Sequence, residues 1–146
     1  MPIVGFTGTS RGMSTYQKFE IRRQLVYLRD NLGYKEARHG ACIGSDDQFG
    51  RIAKELGYHV TAHPGYSPRN PENLIFRAET EYCDVVLEPK PFIARDHDIV
   101  DQSDTMLATP IGKEERRSGT WTTIRYALKV KREILIVPRE SPTRIG

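Results

Sequence analysis

Between residues 3 and 62 the chain twice repeats one order: a short apolar run, an amphipathic stretch, a short apolar run. Ile3-Val4-Gly5-Phe6-Thr7 reads as a buried strand ending at Gly8. Ile21, Leu25, Leu28 and Leu32 then fall at the i, i+4, i+7, i+11 spacing of one helix face. Ser14 with Gln17 three residues later is the capping-box pattern that opens a helix. Glu36 to Gly40 is a weaker strand, and Phe49, Ile52, Ala53 and Leu56 share one side of a second helix, with Gly57 placed as a C′ residue. Tyr58 to Ala62 is a β-type run stopped by His63-Pro64-Gly65. Strands separated by helices cannot close as hairpins; they pair parallel through right-handed crossovers. The expected fold class is therefore α/β: a Rossmann-like, doubly wound, mostly parallel sheet with helices on both faces.

The remainder continues the pattern after one interruption. Residues 64 to 83 are turn-rich, with Pro64, Gly65, Pro68, Asn70 and Pro71, and no clear periodicity follows until Asp84-Val85-Val86-Leu87. An irregular excursion over one sheet edge is expected there, with a short helix around Asn73 to Glu79 and the makings of a lid. Phe92 to Ser103 reads as helix and Asp104 to Thr109 as strand. Thr120 to Lys131 reads as a helix with Trp121, Ile124 and Leu128 inward, and Ile134 to Val137 as the last strand, bounded by Pro138. No repeat, low-complexity tract or Gly/Ser linker divides the 146 residues, so a single domain over 1–146 is expected.

Composition removes several function classes. Charged residues interrupt every window before the roughly 18 consecutive apolar residues that a membrane span needs. Met1-Pro2-Ile3-Val4-Gly5 lacks the basic start and apolar run of a secretory signal, so a cytoplasmic protein with no membrane partner is expected. Two cysteines, Cys42 and Cys83, are too few for a disulfide framework and read as free thiols. The net charge of +3 is mixed along the chain, as in Lys113-Glu114-Glu115-Arg116-Arg117, without the concentrated basic stripe of a duplex binder. Small anionic ligands fit this balance better than a nucleic acid.

In an open parallel sheet the ligand crevice lies beyond the carboxyl ends of the strands, where helix N-termini present unpaired amides. Three Gly-containing polar segments occupy such positions: Gly8-Thr9-Ser10-Arg11-Gly12, Gly40 to Asp46 with Gly44-Ser45-Asp46 at its end, and Ser118-Gly119-Thr120. Any one alone reads as an ordinary capped turn; three together point to a phosphate or nucleotide site. Gly5-x-x-Gly8-x-x-x-Gly12 is not the dinucleotide fingerprint, and no Gly-Lys-Ser/Thr follows it, which disfavours a regular dinucleotide site and a P-loop. His39, Cys42, His59 and His63 are acceptable zinc ligand types, but on one strand His59 and His63 stand about 13 Å apart, so no metal is assigned. His39 and His63, at strand ends, are candidates to line the crevice. Trp121, Tyr16 and Tyr66 are candidates to stack on a base, against the plainer reading as core or contact residues.

The runs Gly5-Phe6-Thr7-Gly8-Thr9-Ser10-Arg11, His39-Gly40-Ala41-Cys42-Ile43-Gly44-Ser45-Asp46, Arg95-Asp96-His97-Asp98-Ile99-Val100, Arg117-Ser118-Gly119-Thr120-Trp121-Thr122-Thr123-Ile124 with Ala127, and Ile134 to Pro138 together resemble the SLOG superfamily. It includes the DNA-processing protein DprA, the "lonely guy" phosphoribohydrolases and small stand-alone nucleotide-binding proteins. The match spans most of the chain and is poorest over residues 64 to 90. The resemblance implies a Rossmann-like sheet, a nucleotide or nucleotide-derived ligand over the three segments, and a homo-oligomer; no cofactor is implied. In the phosphoribohydrolase branch an Arg of an Arg-Lys-x-x-Met motif and a Glu soon after Gly-Gly-x-Gly-Thr cleave an N-glycosidic bond. Arg95 stands for that arginine and is the one candidate catalytic residue, but Thr122 and Thr123 occupy the positions after Gly119-Thr120 where the glutamate would be. A hydroxyl neither stabilises an oxocarbenium ion nor activates water well. Asp46, Asp47, Asp96 and Asp98 are candidate substitutes, although an acid at a helix start serves more often as a cap. Arg11 and Arg95 could each fork onto a phosphate or pair with a nearby aspartate. Binding through Gly8, Thr9, Ser10, Arg11, Gly44, Ser45, Asp46, Arg95, Ser118, Gly119 and Thr120 is the leading expectation. Hydrolysis of a nucleoside monophosphate comes second, and a DNA-processing or assembly accessory third.

Overall fold

The computed structural model describes residues 2–142 other than 75. In chain order the elements are β1 (Ile3–Gly8), α1 (Thr15–Leu32), β2 (Glu36–His39), α2 (Ser45–Glu55), β3 (His59–Ala62), β4 (Gly65–Tyr66), β5 (Val85–Val86), β6 (Lys90–Pro91), α3 (Phe92–Gln102), β7 (Thr105–Thr109), α4 (Gly119–Lys129) and β8 (Glu133–Ile136). Six strands form one sheet in the order β5-β3-β2-β1-β7-β8, and each neighbouring pair is parallel. The α/β expectation therefore holds. The chain winds outward from β1 through β2 and β3, then returns to lay β7 against the other side of β1. The carboxyl ends of β1 and β7 thus diverge into loops that leave in opposite directions, the position where open α/β sheets hold ligands.

Local chemistry fixes the helix starts. Ser14 Oγ accepts the Gln17 amide at 3.1 Å and Gln17 Oε1 accepts the Ser14 amide at 3.0 Å, completing the capping box at α1. The same Gln17, fully buried, donates from Nε2 to the carbonyls of Pro110 (2.9 Å) and Val137 (3.0 Å), tying α1 to the segments that follow β7 and β8. Ser118 Oγ caps α4 by accepting the Trp121 amide at 3.2 Å.

Alternate β1 residues serve different faces, as strand geometry requires. Val4 and Phe6 join Ile21, Leu25 and Leu28 of α1, Phe49, Ile52 and Ala53 of α2, and Val60 in one core. The Phe6 and Phe49 rings stack there with centroids 4.4 Å apart. On the opposite face Ile99 and Val100 of α3 pack with Met106 and Ala127.

Three expectations need correction. Leu128 is exposed, because the inward stripe of α4 is Thr120, Thr123, Ile124 and Ala127; Trp121 and Leu128 each lie one residue, about 100°, off that stripe. Leu32, the last residue of α1, is also exposed rather than on the buried face, as the helix ends there at Gly33 in the left-handed region. No helix forms in the described residues of 73–79. Their amides go instead into tight turns, Asn73 to Asn70 O and Arg77 to Leu74 O, and across to the loop after β2, where Ala78 donates to Ala41 O at 2.9 Å. The excursion also pairs β4 with β6 in a separate two-stranded sheet. Among the described residues no helix is long and apolar enough to cross a membrane.

Candidate functional site

The three Gly-containing segments meet. A cavity of about 380 Å³ opens over the carboxyl ends of β1, β2 and β7, and its wall includes Gly8, Thr9 and Ser10, then Gly40, Cys42 and Asp46, then Ser118, Gly119 and Thr120. Arg95 and Asp96 of α3 complete the polar surface; Phe6, Phe76, Phe92 and Ile99 supply the apolar part.

Thr9 organises the first loop. Its amide donates to Thr109 O, its carbonyl accepts the amides of Gly12 and Ser45, each at 3.1 Å, and its Oγ1 accepts the Arg11 amide at 3.2 Å. Gly44 supports that loop from below: it has φ +85°, and a Cβ there would stand 2.1 Å from the Ser10 carbonyl oxygen. Only glycine fits such an approach. Gly44, Ser45 and Arg11 do not line the cavity. Gly44 and Ser45 hold the loop's backbone, and Arg11 is an exposed residue at its outer side. At the other wall Ser118 satisfies Trp121, the third helical residue of α4, while the amides of Gly119 and Thr120 precede any acceptor within the helix. They form a positive helix end facing the cavity.

The floor carries charge of both signs. Arg95, 6% exposed, donates from Nη1 to the carbonyls of Gly40 and His63 and from Nε to Asp96 Oδ1 at 2.6 Å. Its guanidinium carbon lies 5.3 Å from the Phe92 ring centroid. A Cβ on Gly40 would come within 2.7 Å of Arg95 Nη1 and 2.8 Å of Asp46 Oδ2, so the bare backbone at position 40 gives these side chains their room. Burial alone would lower the Arg95 pKa, but Asp96, Cys42 and Asp46 carry it above the ordinary value. Asp46 Oδ2 accepts the Cys42 amide at 3.2 Å; burial pushes this carboxyl up to about 7, and Arg95 only partly offsets it. Asp96 is also raised by burial, against the opposing pull of Arg95 and the Thr123 hydroxyl. Burial, with Asp46 close by, lifts the Cys42 thiol to about 11.

Neither strand-end histidine lines this cavity. His39 is fully buried in the core, accepting the Ala41 amide on Nδ1 at 3.0 Å and lying 3.1 Å from the Tyr82 hydroxyl through Nε2. Burial, His63 and Arg95 depress it to about 3. His63, depressed to about 4 by burial and Arg38, faces a second cavity on the other side of Arg95, of about 310 Å³. Trp121, Tyr16 and Tyr66 are likewise absent from the wall; the cavity's aromatic rings are Phe6, Phe76 and Phe92. Phe76 lies in the aperiodic excursion, where no sequence signal marks it, and Phe92 reads only as a helix start. Asp96 was one of four acids open as substitutes for the missing glutamate; the fold sets it beside Arg95 and Thr123. Asp47 and Asp98 lie off the wall and pair with Arg51 and Lys90. Among the described residues no group of three or more His, Cys, Asp or Glu side chains is placed to hold a metal ion.

No protein-family model matches the chain, and no curated protein matches it. Solved structures do. The molybdenum cofactor binding protein from the phototrophic bacterium Rippkaea orientalis superposes with a TM-score of 0.66 at 20% identity, covering 95% of this chain and 77% of that one. The molybdenum cofactor carrier protein from Chlamydomonas reinhardtii gives 0.61 at 19% identity, covering 92% of this chain and 75% of the other. At such identities the likeness is one of fold, and the chain has the Rossmann-like α/β architecture of these two structures.

Proposed function

We propose that this chain is a SLOG-type protein that binds a nucleotide or a nucleotide-derived small molecule at the carboxyl edge of its sheet. The observation that carries the reading is the convergence of three separate segments, 8–10, 40–46 and 118–120, on one cavity of about 380 Å³. That volume lies within the range of small-molecule sites. In this reading the amides and hydroxyls of Gly8, Thr9, Ser10, Ser118, Gly119 and Thr120 take the phosphate, and Arg95 supplies fixed positive charge. Asp46 positions the 40–42 backbone, while Gly44 and Ser45 hold the first loop in place. The two structural neighbours are named for molybdenum cofactor, which belongs in the ligand panel for that reason.

Calorimetric titration with mononucleotides, cyclic nucleotides, ADP-ribose derivatives and molybdenum cofactor tests the proposal, and silence across the panel removes it. Gly119→Pro locates the anion. Position 119 is the first of α4, where proline keeps the helix but deletes one amide, and Ser118 at φ −74°, ψ 127° already has the extended backbone a following proline demands. Losing one hydrogen bond to a charged group is worth about 1.5–3 kcal/mol, so affinity should fall roughly 10- to 150-fold with the fold unchanged. Light scattering on the same samples reads the homo-oligomer that the resemblance implies.

A second reading, N-glycosidic hydrolysis of a nucleoside monophosphate, gains from the placement of Asp96. Its carboxylate lies next to Arg95 and against Thr123, one of the two positions where the resembled glutamate is missing. Ionised, it would stabilise positive charge at the anomeric carbon as the base leaves and water adds. Chromatography for free base, abolished by Asp96→Asn, would promote this reading; no base release leaves binding alone.

A further inference from the structure

The wall of the cavity mixes polar and apolar groups that come from different segments. Gly8, Thr9, Ser10 and the start of α4 offer amides and hydroxyls, whereas Phe76 and Phe92 present carbon. The same two rings also border a small adjoining cleft of about 20 Å³ with Gly40 and Cys42, and no residue of the 8–10 or 118–120 segments reaches that cleft. The phenyl rings therefore occupy the side of the cavity away from the anion loops.

Both are held ready. Phe92 packs over the Arg95 guanidinium. Phe76 is backbone-anchored: its carbonyl accepts the Ile43 amide at 2.9 Å, and the neighbouring Arg77 bridges to Cys42 in antiparallel fashion. Yet 51% of Phe76 remains exposed. A single exposed phenyl ring is unremarkable on a protein surface. One fixed by its backbone at the mouth of a cavity, opposite an anion-binding end, is placed to cover something flat and apolar.

Resting on the nucleotide reading above, we infer that Phe76, with Phe92 beside it, is the specificity-determining aromatic edge of the site and receives the flat heteroaromatic ring of a phosphorylated ligand. The phosphate lies at the loops after β1 and β7, and the ring stacks at the loops after β2. Such stacking tolerates any base, because each has a π-face, and it separates base-bearing phosphates from bare sugar phosphates.

Calorimetry with ribose 5-phosphate and with AMP, GMP, CMP and UMP tests this. Removing a stacked aromatic costs about 1–3 kcal/mol per base, or roughly 5- to 150-fold in affinity. The tightest mononucleotide should bind the natural protein at least about fivefold more tightly than ribose 5-phosphate. Phe76→Ala should erase that advantage while leaving ribose 5-phosphate binding and the melting temperature unchanged, and Phe76→Trp should restore it. Equal affinity for ribose 5-phosphate and every mononucleotide, or an advantage that survives Phe76→Ala, overturns the inference and leaves the anion site standing. Silence from all five probes overturns this inference, and the wider ligand panel above decides the nucleotide reading separately.

Discussion

Replacing Asp46 by Asn isolates the electrostatic character of the cavity floor. The native carboxyl titrates at about 7 instead of the ordinary 3.8, chiefly because burial disfavours the anion. The folded state therefore keeps a proton that the unfolded chain gives up near pH 4. Stability from this group is greatest below the unfolded pKa and is lost as pH rises through the folded one. Taking 3.8 and about 7 as the two end points, the loss between pH 5 and pH 8 comes to about 2–3 kcal/mol, at about 1.4 kcal/mol for each tenfold change in proton affinity. Asn cannot titrate. His39 and His63, held neutral in the fold, lose stability in the opposite sense as pH falls and are common to both proteins. Asp96, whose charge helps raise Asp46, acts in the same sense as Asp46 and is itself eased when Asn removes the Asp46 charge. The informative quantity is thus the difference between the two unfolding free energies across pH, measured by urea denaturation of each protein without ligand. Asp46→Asn should gain on the natural protein by about 2–3 kcal/mol from pH 5 to pH 8, or about 5–10 °C in melting temperature for a chain of this size. A constant offset between parallel curves, or a gain toward acid, would show that the Asp46 carboxyl is not buried as described.

Two further outcomes follow from the same geometry. Gly44→Ala must find room for a Cβ 2.1 Å from a backbone oxygen at a positive φ, so urea denaturation should show about 2–5 kcal/mol of destabilisation; a change under 0.5 kcal/mol would contradict the loop packing. The Cys42 thiol, held near 11, should react with a thiol reagent at pH 8 far more slowly than the same residue in urea, and equal rates would refute its placement.

The fold was legible because its signals are local and periodic. Capping at Ser14 and Gln17, the Ile21-Leu25-Leu28 stripe, and the β-type runs around β1, β3 and β7 depend on neighbours within a few residues, and strands joined by helices have essentially one way to pair. Helix facing was less legible on α4. There the close-packed stripe consists of threonine, isoleucine and alanine, and the bulkier Trp121 and Leu128 lie on its flank, so hydrophobicity pointed about 100° away from the contact. The helix expected over 73–79 does not form in its described residues because their amides find partners across the chain, at residue 41, and in tight turns, rather than four residues back.

That the three glycine-bearing loops meet could be read from the sequence, since each lies between a strand and a helix. How each contributes could not. Gly8, Ser10 and Gly119 reach the cavity wall, while Gly44 and Ser45 act one layer behind it and Arg11 points elsewhere, because a wall is a surface assembled from segments far apart in the chain. The same reason put His39 in the core and brought Phe76 and Asp96 to the cavity. Periodicity along a chain specifies elements and their wiring; which side chains share a small volume, and at what dielectric cost to their charges, is decided only when those elements close against one another.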